Sequence, residues 1–270
     1  MKILVKIIAG LLITAILLVV GYFGYLFYKN GFDFNKTFGI GVSDKLIEEK
    51  EIETLKEINI KFNTSNVEIK HSEDDKYKVM LYSDRVDTHS INLEEGKLEV
   101  SINEKKLKFW KRLFNHKISR ILIYVPKDFE GNIKIDGDVG DINLDDYLYT
   151  VLSTKLNVGD IYVDGIKDAT IDLDIGSAKV KNAYSNFNIK VNTGDVRMKE
   201  ANILVDSSIK VDIGNVIIEE TNDIKINTKV DVGNVDVKKN NEDAFNKLDI
   251  EVNVGKITVL AKEEEKKEND

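Results

Sequence analysis

The side chains that could carry out chemistry in this sequence are carboxylates and amides that recur beside glycine. The pattern is Asp or Asn, any residue, Gly, usually Asp or Asn, an apolar residue, any residue and a second apolar residue, and it occurs seven times. Its glycines are Gly140, Gly159, Gly176, Gly194, Gly214, Gly233 and Gly255, and an eighth copy, which begins at Asn63, has Ser65 in the glycine position. Stacked carboxylates could bind calcium, but calcium-binding solenoids use a nine-residue GGxGxD repeat that is absent here. The pattern therefore favours hydrogen bonding at a turn over a metal site.

Catalysis by these groups is not expected. A hydrolase needs two carboxyl groups that face each other across a cleft, or a nucleophile beside its base. The chain contains no cysteine, and its three histidines, His71, His89 and His116, lie far apart in no ligand or triad motif. We therefore predict that the protein is not an enzyme and needs no cofactor or metal.

The apolar residues around each glycine predict the strands that position these groups. Before the glycine they occupy odd offsets, as at Ile171, Leu173 and Ile175, at Ile209, Val211 and Ile213, and at Ile250, Val252 and Val254. After it they occupy even offsets, as at Val216 and Ile218, at Val235 and Val237, and at Ile257 and Val259. Alternation predicts strands, and the change of parity at the glycine predicts a corner that keeps the same face inward. Ser65 has the same parity around it, with Ile58, Ile60, Phe62, Val67 and Ile69.

The spacing of the corners predicts how the strands assemble. Successive glycines are 19, 17, 18, 20, 19 and 22 residues apart. This period is too short for a propeller blade of about 40 residues and suits one coil of a β-solenoid. We therefore predict an all-β, single-stranded β-solenoid over residues 57–260, with about 18–20 residues per coil. Residues 71–103 interrupt it as strands with a hairpin at Glu95-Gly96.

The N-terminal region predicts a membrane anchor. Ile7 to Tyr28 is a run of 22 residues without a charge, which as a helix spans about 33 Å, enough to cross a bilayer core. The run is too long for the apolar core of a signal peptide, and bulky residues spoil the candidate cleavage site. Lys2 and Lys6 favour a cytoplasmic N-terminus. We predict a single-pass protein of the cell membrane with its C-terminal domain outside.

The remaining segments divide accordingly. Residues 1–29 are expected to form the cytoplasmic stub and anchor, and residues 30–56 a juxtamembrane spacer in which Ser43 to Lys56 predicts a short helix. Residues 261–270 predict a disordered charged tail.

A basic aromatic insertion at residues 104–120 is the candidate binding segment. Between Lys105 and Arg120 the local charge is +7, whereas the whole chain carries −8. The residues that could dock onto an anionic surface are Lys105, Lys106, Lys108, Phe109, Trp110, Lys111, Arg112 and Phe114. The segment could pack its aromatic residues onto the solenoid, or it could bind lipid headgroups or an anionic envelope polymer. The acidic chain as a whole argues against nucleic acid as a partner.

The combination of anchor, insertion, the VPKD sequence at Val125 to Asp128, and repeated Gly-Asp/Asn-Val/Ile turns resembles the putative-adhesin family that includes the LiaG-like proteins of Gram-positive bacteria. The resemblance covers residues 55 to 260 approximately. It implies a right-handed solenoid and an association with cell-envelope stress systems and their membrane proteins, and it supplies no catalytic residues. Ser65, Ser177 and Lys256 depart from the turn pattern.

Three functions are compatible with these features. The first is an outward-facing scaffold or interaction module for envelope stress response or envelope maintenance. The second is a bactofilin-like scaffold that polymerises end to end. The charged tail after Leu260, and Ser65 with the acidic interruption at the other end, disfavour it because both resemble caps. The third is a surface adhesin, although one short solenoid behind an anchor would barely clear a thick cell wall.

Overall fold

The computed structural model describes residues 41–84, 86–104 and 117–260, and within these ranges the chain forms strands and no helix. The predicted all-β class is therefore confirmed. The strands are β1 (Gly41–Val42), β2 (Leu46–Ile52), β3 (Glu57–His71), β4 (Tyr77–Tyr82), β5 (Val86–Glu94), β6 (Lys97–Glu104), β7 (Lys117–Val125), β8 (Asn132–Val139), β9 (Ile142–Val158), β10 (Ile161–Ile175), β11 (Ala178–Thr193), β12 (Val196–Ile203), β13 (Ser207–Thr221), β14 (Lys225–Val237) and β15 (Lys247–Leu260).

Parallel stacking of successive coils gives the fold its solenoid-like character. β9, β10 and β11 each run from one corner glycine to the next and pair in parallel with their neighbours. The register aligns equivalent positions, so that Val163 lies between Leu144 and Val180. Because every coil presents its apolar side chains at the same positions, stacking joins them into one continuous column.

The core of the column consists of the alternating residues identified in the sequence. Ile171, Leu173, Val211, Val216 and Val252 are all at most 1% exposed. Each such side chain contributes roughly 1.5–3 kcal/mol when it is fully buried. The parity around Ser65 also holds, because Ile58, Ile60, Phe62, Val67 and Ile69 are all buried.

The prediction that the residue directly before each glycine points into this core is wrong. Ile175, Ile213 and Val254 are 54%, 55% and 46% exposed. The backbone changes direction at the glycine, so this side chain stands on the outer angle of the corner and not on the inner face of the strand. Alternation therefore ends one residue earlier than the sequence suggests.

The coils do not stack in chain order at the C-terminal end. The sheet order is β13–β15–β14, so β15, the last strand that the structure describes, is inserted between the two before it. β14 is consequently the end coil of the stack. This explains why Val235, predicted to point inward, is 46% exposed.

The opposite end is closed by other strands. The first half of β3 pairs with β6 and β8, and its second half pairs with β7 and β9. β5 and β6 form an antiparallel hairpin whose turn has positive φ at Glu95 and Gly96, as predicted. β7 continues into an antiparallel sheet with β4 and β2. The first coil is therefore covered on its outer side.

The helix predicted between Ser43 and Lys56 is wrong. Residues 46–52 form β2, which pairs with β4, and the side chain of Lys78 bonds to Glu49 with 2.6 Å between Nζ and Oε1. Ile52 and Leu55 are buried against the core. Tertiary pairing has outweighed the loose helical spacing of the apolar residues.

The chain divides into two compact units, one of Met1–Ser43 with Lys106–Ile118 and one of Asp44–Lys105 with Ser119–Asp270. Among the described residues of the smaller unit, Gly41 and Val42 pair in parallel with Lys117 and Ile118. The larger unit contains the stacked coils. None of the described segments forms a helix with the length and apolar character needed to cross a bilayer, and the anchor expected at residues 1–29 lies outside them.

Candidate functional site

A column of glycines runs along one corner of the stacked coils. The seven glycines found in the sequence have φ between +142° and +151°, a conformation that side chains disfavour. Close packing adds a second constraint: a Cβ on Gly176 would lie 1.8 Å from the carbonyl oxygen of Gly159, and the other corner glycines show the same approach. Ser65 stands at the first coil without positive φ, and its carbonyl approaches Gly140 in the same way. The sequence indicated the turn but gave no sign of the close approach between coils.

The residues directly after the corner form a first ladder, with a hydrogen bond between five pairs of neighbouring coils. The side-chain oxygen of Asp141 accepts a hydrogen bond from the backbone N–H of Asp160, at 3.0 Å, and Asp160 accepts one from Ser177 at 2.8 Å. Equivalent bonds run from Asp141 N to Asn66, from Asn215 N to Asp195 and from Lys256 N to Asn215. The predicted hydrogen bonding at the turn is therefore present, and its bonds join neighbouring coils.

The residues two positions before the glycine form a second ladder, with a hydrogen bond between three pairs of neighbouring coils. Asn157 donates its side-chain amide to Asp138 at 2.9 Å, and Asn192 donates to Asp174 at 2.7 Å. Asn253 donates to Asp212 at 2.9 Å in the same manner. Each of these carboxylates thus faces an amide donor and not a second carboxylate. Within the described residues, no group of three or more potential metal-ligating side chains is close enough to hold a metal ion.

An exposed aliphatic ridge lies beside the two ladders. It is formed by the residues directly before the corner glycines, and we call it the corner ridge. Its members in stacking order are Val139, Val158, Ile175, Thr193, Ile213, Val254 and Val232, each paired in register with the next. The six aliphatic members are 40–63% exposed. Six steps of about 4.8 Å make the ridge about 29 Å long. Its sequence signal was present, because six of the seven copies have Val or Ile before the glycine.

The basic insertion begins and ends at a buried polar cluster. The carboxylate of Glu104, which is 7% exposed, accepts hydrogen bonds from the backbone N–H and the hydroxyl of Ser119. The hydroxyl groups of Ser119 and Ser83 lie 2.7 Å apart. Asn63 accepts from the backbone N–H of Glu104 at 2.8 Å and donates to its carbonyl oxygen. The first coil thus fixes Glu104 and Ser119, the residues on either side of the insertion.

The docking residues themselves lie outside the described part of the chain: they are Lys105, Lys106, Lys108, Phe109, Trp110, Lys111, Arg112 and Phe114. Of the segment's other cations, Arg120 forms a cation–π contact within the fold, because its guanidinium carbon lies 4.3 Å from the centre of the Tyr82 ring.

Ion pairs at the end of the stack shift the pKa values of their members. The hydrogen bond from Lys229 to Glu251, 2.7 Å between Nζ and Oε1, lowers the pKa of Glu251 and raises that of Lys229. The amide of Asn227 donates to Asp249 at 2.8 Å and lowers the pKa of Asp249, with a smaller contribution from Lys247. These bonds join β14 to β15.

Three solved structures of similar proteins cover most of this chain. A putative adhesin from Bacteroides fragilis has 16% identity, a TM-score of 0.43, and covers 82% of this chain and 100% of its own. A putative cell adhesion protein from Clostridium sporogenes has 14% identity, a TM-score of 0.39, and covers 80% and 99%. A putative lipid binding protein from Parabacteroides distasonis has 16% identity, a TM-score of 0.29, and covers 82% and 99%. A comparison with curated proteins finds no match.

The family model that matches the sequence is that of the Toastrack proteins, DUF4097, and the match extends over residues 55–269. This range contains every corner glycine, both ladders and the insertion. It covers about four fifths of the chain and begins two residues before β3, the strand of the first coil. The chain with this glycine-cornered stack therefore belongs to the Toastrack DUF4097 family.

Proposed function

We propose that the protein is a membrane-anchored interaction module that displays its solenoid outside the cell and has no catalytic role. The corner ridge is the observation that carries this proposal. Large exposed apolar patches on soluble domains usually mark binding surfaces. A ridge about 29 Å long on a hydrogen-bonded stack has the rigidity and the repeat that suit an extended partner.

The basic insertion adds a second binding element. Its cations and aromatic residues suit an anionic surface, either lipid headgroups or an envelope polymer. Negative charges on such a surface attract cations that lie within about one Debye length, and aromatic rings enter the headgroup layer. The buried cluster of Glu104 and Ser119 supports this role, since it fixes the described residues that flank the segment.

The physiological setting is inferred from the sequence. The apolar run at residues 7–28, the lysines before it and the resemblance to LiaG-like proteins support a single membrane span, an extracellular domain and a right-handed coil. They also support a role in envelope stress response or maintenance, with envelope-stress membrane proteins as partners.

A vesicle-binding experiment tests the docking element. A soluble form comprising residues 30–270 should co-sediment with anionic vesicles at about 0.05 M salt and bind less at 1 M, where the Debye length falls to about 3 Å. Changing Lys108, Lys111 and Arg112 together to Glu should abolish binding.

The matched control reverses the charge of three exposed lysines on the coils. The triple variant Lys134→Glu, Lys155→Glu and Lys179→Glu alters the net charge by the same amount, and all three residues are exposed. It should retain most of the binding. Equal loss in both triple variants would mean that overall charge and not the insertion governs binding, and binding by neither parent nor variant would refute the docking role.

A further inference from the structure

The end coil β14 is an open edge of the stack. Among the described residues its only strand partner is β15. Val235 is 46% exposed and Val230 is partly buried, whereas the equivalent Val216 and Val211 of β13 are fully buried. Edges of this kind are templates for pairing with another chain.

The backbone of β14 alternates between β15 and the open side. The N–H of Lys225 donates to the carbonyl of Asn246, so before the corner the odd-numbered residues direct their backbone groups towards β15. The N–H of Lys238 donates to the carbonyl of Val259, so after the corner the even-numbered residues do so. The intervening residues point their backbone groups away from it. On the two sides of the corner these residues are Thr228, Val230, Val235 and Val237. Within the part of the chain that the structure describes, only the start of the edge is covered, because the side chain of Asn240 bonds to both the N–H and the carbonyl of Ile226.

The two side-chain ladders also stop at this coil. Asp231 lies in the position where Asp138, Asp174 and Asp212 each receive an asparagine amide, but its nearest charged partner is Lys229, at 3.9 Å. Within the described residues, no amide reaches Asp231 and no neighbouring coil bonds to the exposed side chain of Asn234. The Asp231 carboxylate and the Asn234 amide of the end coil therefore make no bond to a neighbouring coil among the described residues, although the equivalent residues elsewhere in the stack do.

We propose that a second copy of the chain covers this edge, with the two β14 strands antiparallel about a two-fold axis through the corner. Val230 then lies opposite Val235 of the second copy, Lys229 opposite Asp236, and Asp231 opposite Asn234, and each pair occurs twice. The valines pair with their backbone groups facing each other and their side chains on the core side. The lone carboxylate receives an amide, as its equivalents do in the stack.

Charge and parity select this register. A shift by one residue would place core-facing side chains opposite outward-facing ones. A shift by two in one direction would place Asp231 opposite Asp236 and Lys229 opposite Lys238, and like charges in opposite positions are destabilising. A shift by two in the other direction would place Lys229 opposite Asn234 and Asp231 opposite Val232, so neither charged residue would keep its polar or charged partner. A two-fold interface uses the β14 edge of both copies and leaves neither β14 edge free for a third chain. The assembly therefore stops at two chains and does not grow into a filament.

Site-specific disulfide formation tests the pairing in the full-length chain, purified in detergent, which has no cysteine of its own. The single variants Lys229→Cys and Asp236→Cys should each give little cross-linked product. In either variant, the cysteine of one chain and the same cysteine of the second chain are separated by about seven residues along the paired strands, roughly 23 Å. An equimolar mixture should give several times more disulfide-linked dimer, because opposite residues have Cβ atoms close enough to bridge. The matched control mixes Asp172→Cys with Lys190→Cys, a paired aspartate and lysine in the middle of the stack, and should give no excess.

Charge exchange provides a second measurement. Asp236→Lys places two lysines opposite each other and should weaken dimer formation by about tenfold. Lys229→Asp combined with Asp236→Lys should restore it.

Three outcomes would overturn the proposal. The first is equal cross-linking in the single variants and in their mixture. The second is a chain that remains monomeric by light scattering. The third is cross-linking that appears only after residues 261–270 are deleted, which would mean that the C-terminal segment covers β14.

Discussion

The corner column makes Gly176 the position where a single methyl group should be most damaging. In a Gly176→Ala variant the new Cβ would lie 1.8 Å from the carbonyl oxygen of Gly159, a distance that carbon and oxygen atoms essentially never adopt. The two atoms must separate by about 1.6 Å to reach an ordinary van der Waals contact of 3.4 Å. Both atoms lie on or next to the backbone, so no flexible side chain can absorb this movement.

The expected cost has two parts. The φ of +142° at Gly176 is unfavourable for alanine by about 1–3 kcal/mol. Moving the coils apart also strains the hydrogen bonds from Gly159 N–H to Ile175 and from Gly176 N–H to Thr193, both 3.0 Å. Each is worth about 1 kcal/mol net. The variant should therefore lose about 3–5 kcal/mol of unfolding free energy.

Urea denaturation of the soluble form measures this loss, with Gly96→Ala as the matched control. Gly96 also has positive φ, at +82°, but the nearest atom to its added Cβ is the flexible Cγ of Lys56 at 3.7 Å. The control should cost only the conformational part, about 1–2 kcal/mol. Equal costs for the two variants would refute the argument that the approach of the neighbouring carbonyl requires glycine.

Three further predictions follow from the core, the ion pairs and the anchor. Val211→Asp should lose several kcal/mol, because it buries an unpaired charge at a fully buried position, while the exposed Lys179→Asp should change stability by about half a kcal/mol or less; equal shifts in Tm would contradict the assigned parity. Hydrogen bonds lower the pKa values of Glu251 and Asp249 in the folded state, so the two carboxylates should contribute fully to the unfolding free energy above their ordinary pKa values and lose this contribution as the pH falls through the lowered ones. Glu251→Gln should therefore make the unfolding free energy less dependent on acid pH in urea titrations, and an unchanged pH profile would contradict this prediction. Protease added to intact cells without a wall should degrade the chain beyond about Lys29, whereas full protection until lysis would reverse the proposed orientation.

The stacked coils could be predicted because every repeat has the same sequence pattern. Alternation fixes the inner face, and glycine with an Asx neighbour marks the corner, as at Asp212, Gly214 and Val216. The corner ridge was missed because alternation does not reveal where a strand ends. Ile213 continues the period by its spacing, yet the backbone has already begun to turn there. The strand β2 was missed for a different reason, since its charged sequence gains a partner only through β4, which is distant in the chain.

The order of the last coils has a cause that the sequence does contain. In chain order the residues two positions before the corner are Asn63, Asp138, Asn157, Asp174, Asn192, Asp212, Asp231 and Asn253. They alternate until Asp212 and Asp231, which in a sequential stack would lie one coil apart, about 4.8 Å. Two facing carboxylates repel, whereas an asparagine between them can donate an amide. Placing the coil of Asn253 between the two restores the alternation throughout the stack, and Asn253 donates to Asp212. Charge pattern along the ladder thus accounts for the insertion of β15, and it leaves Asp231 at the open edge as the carboxylate that still lacks an amide.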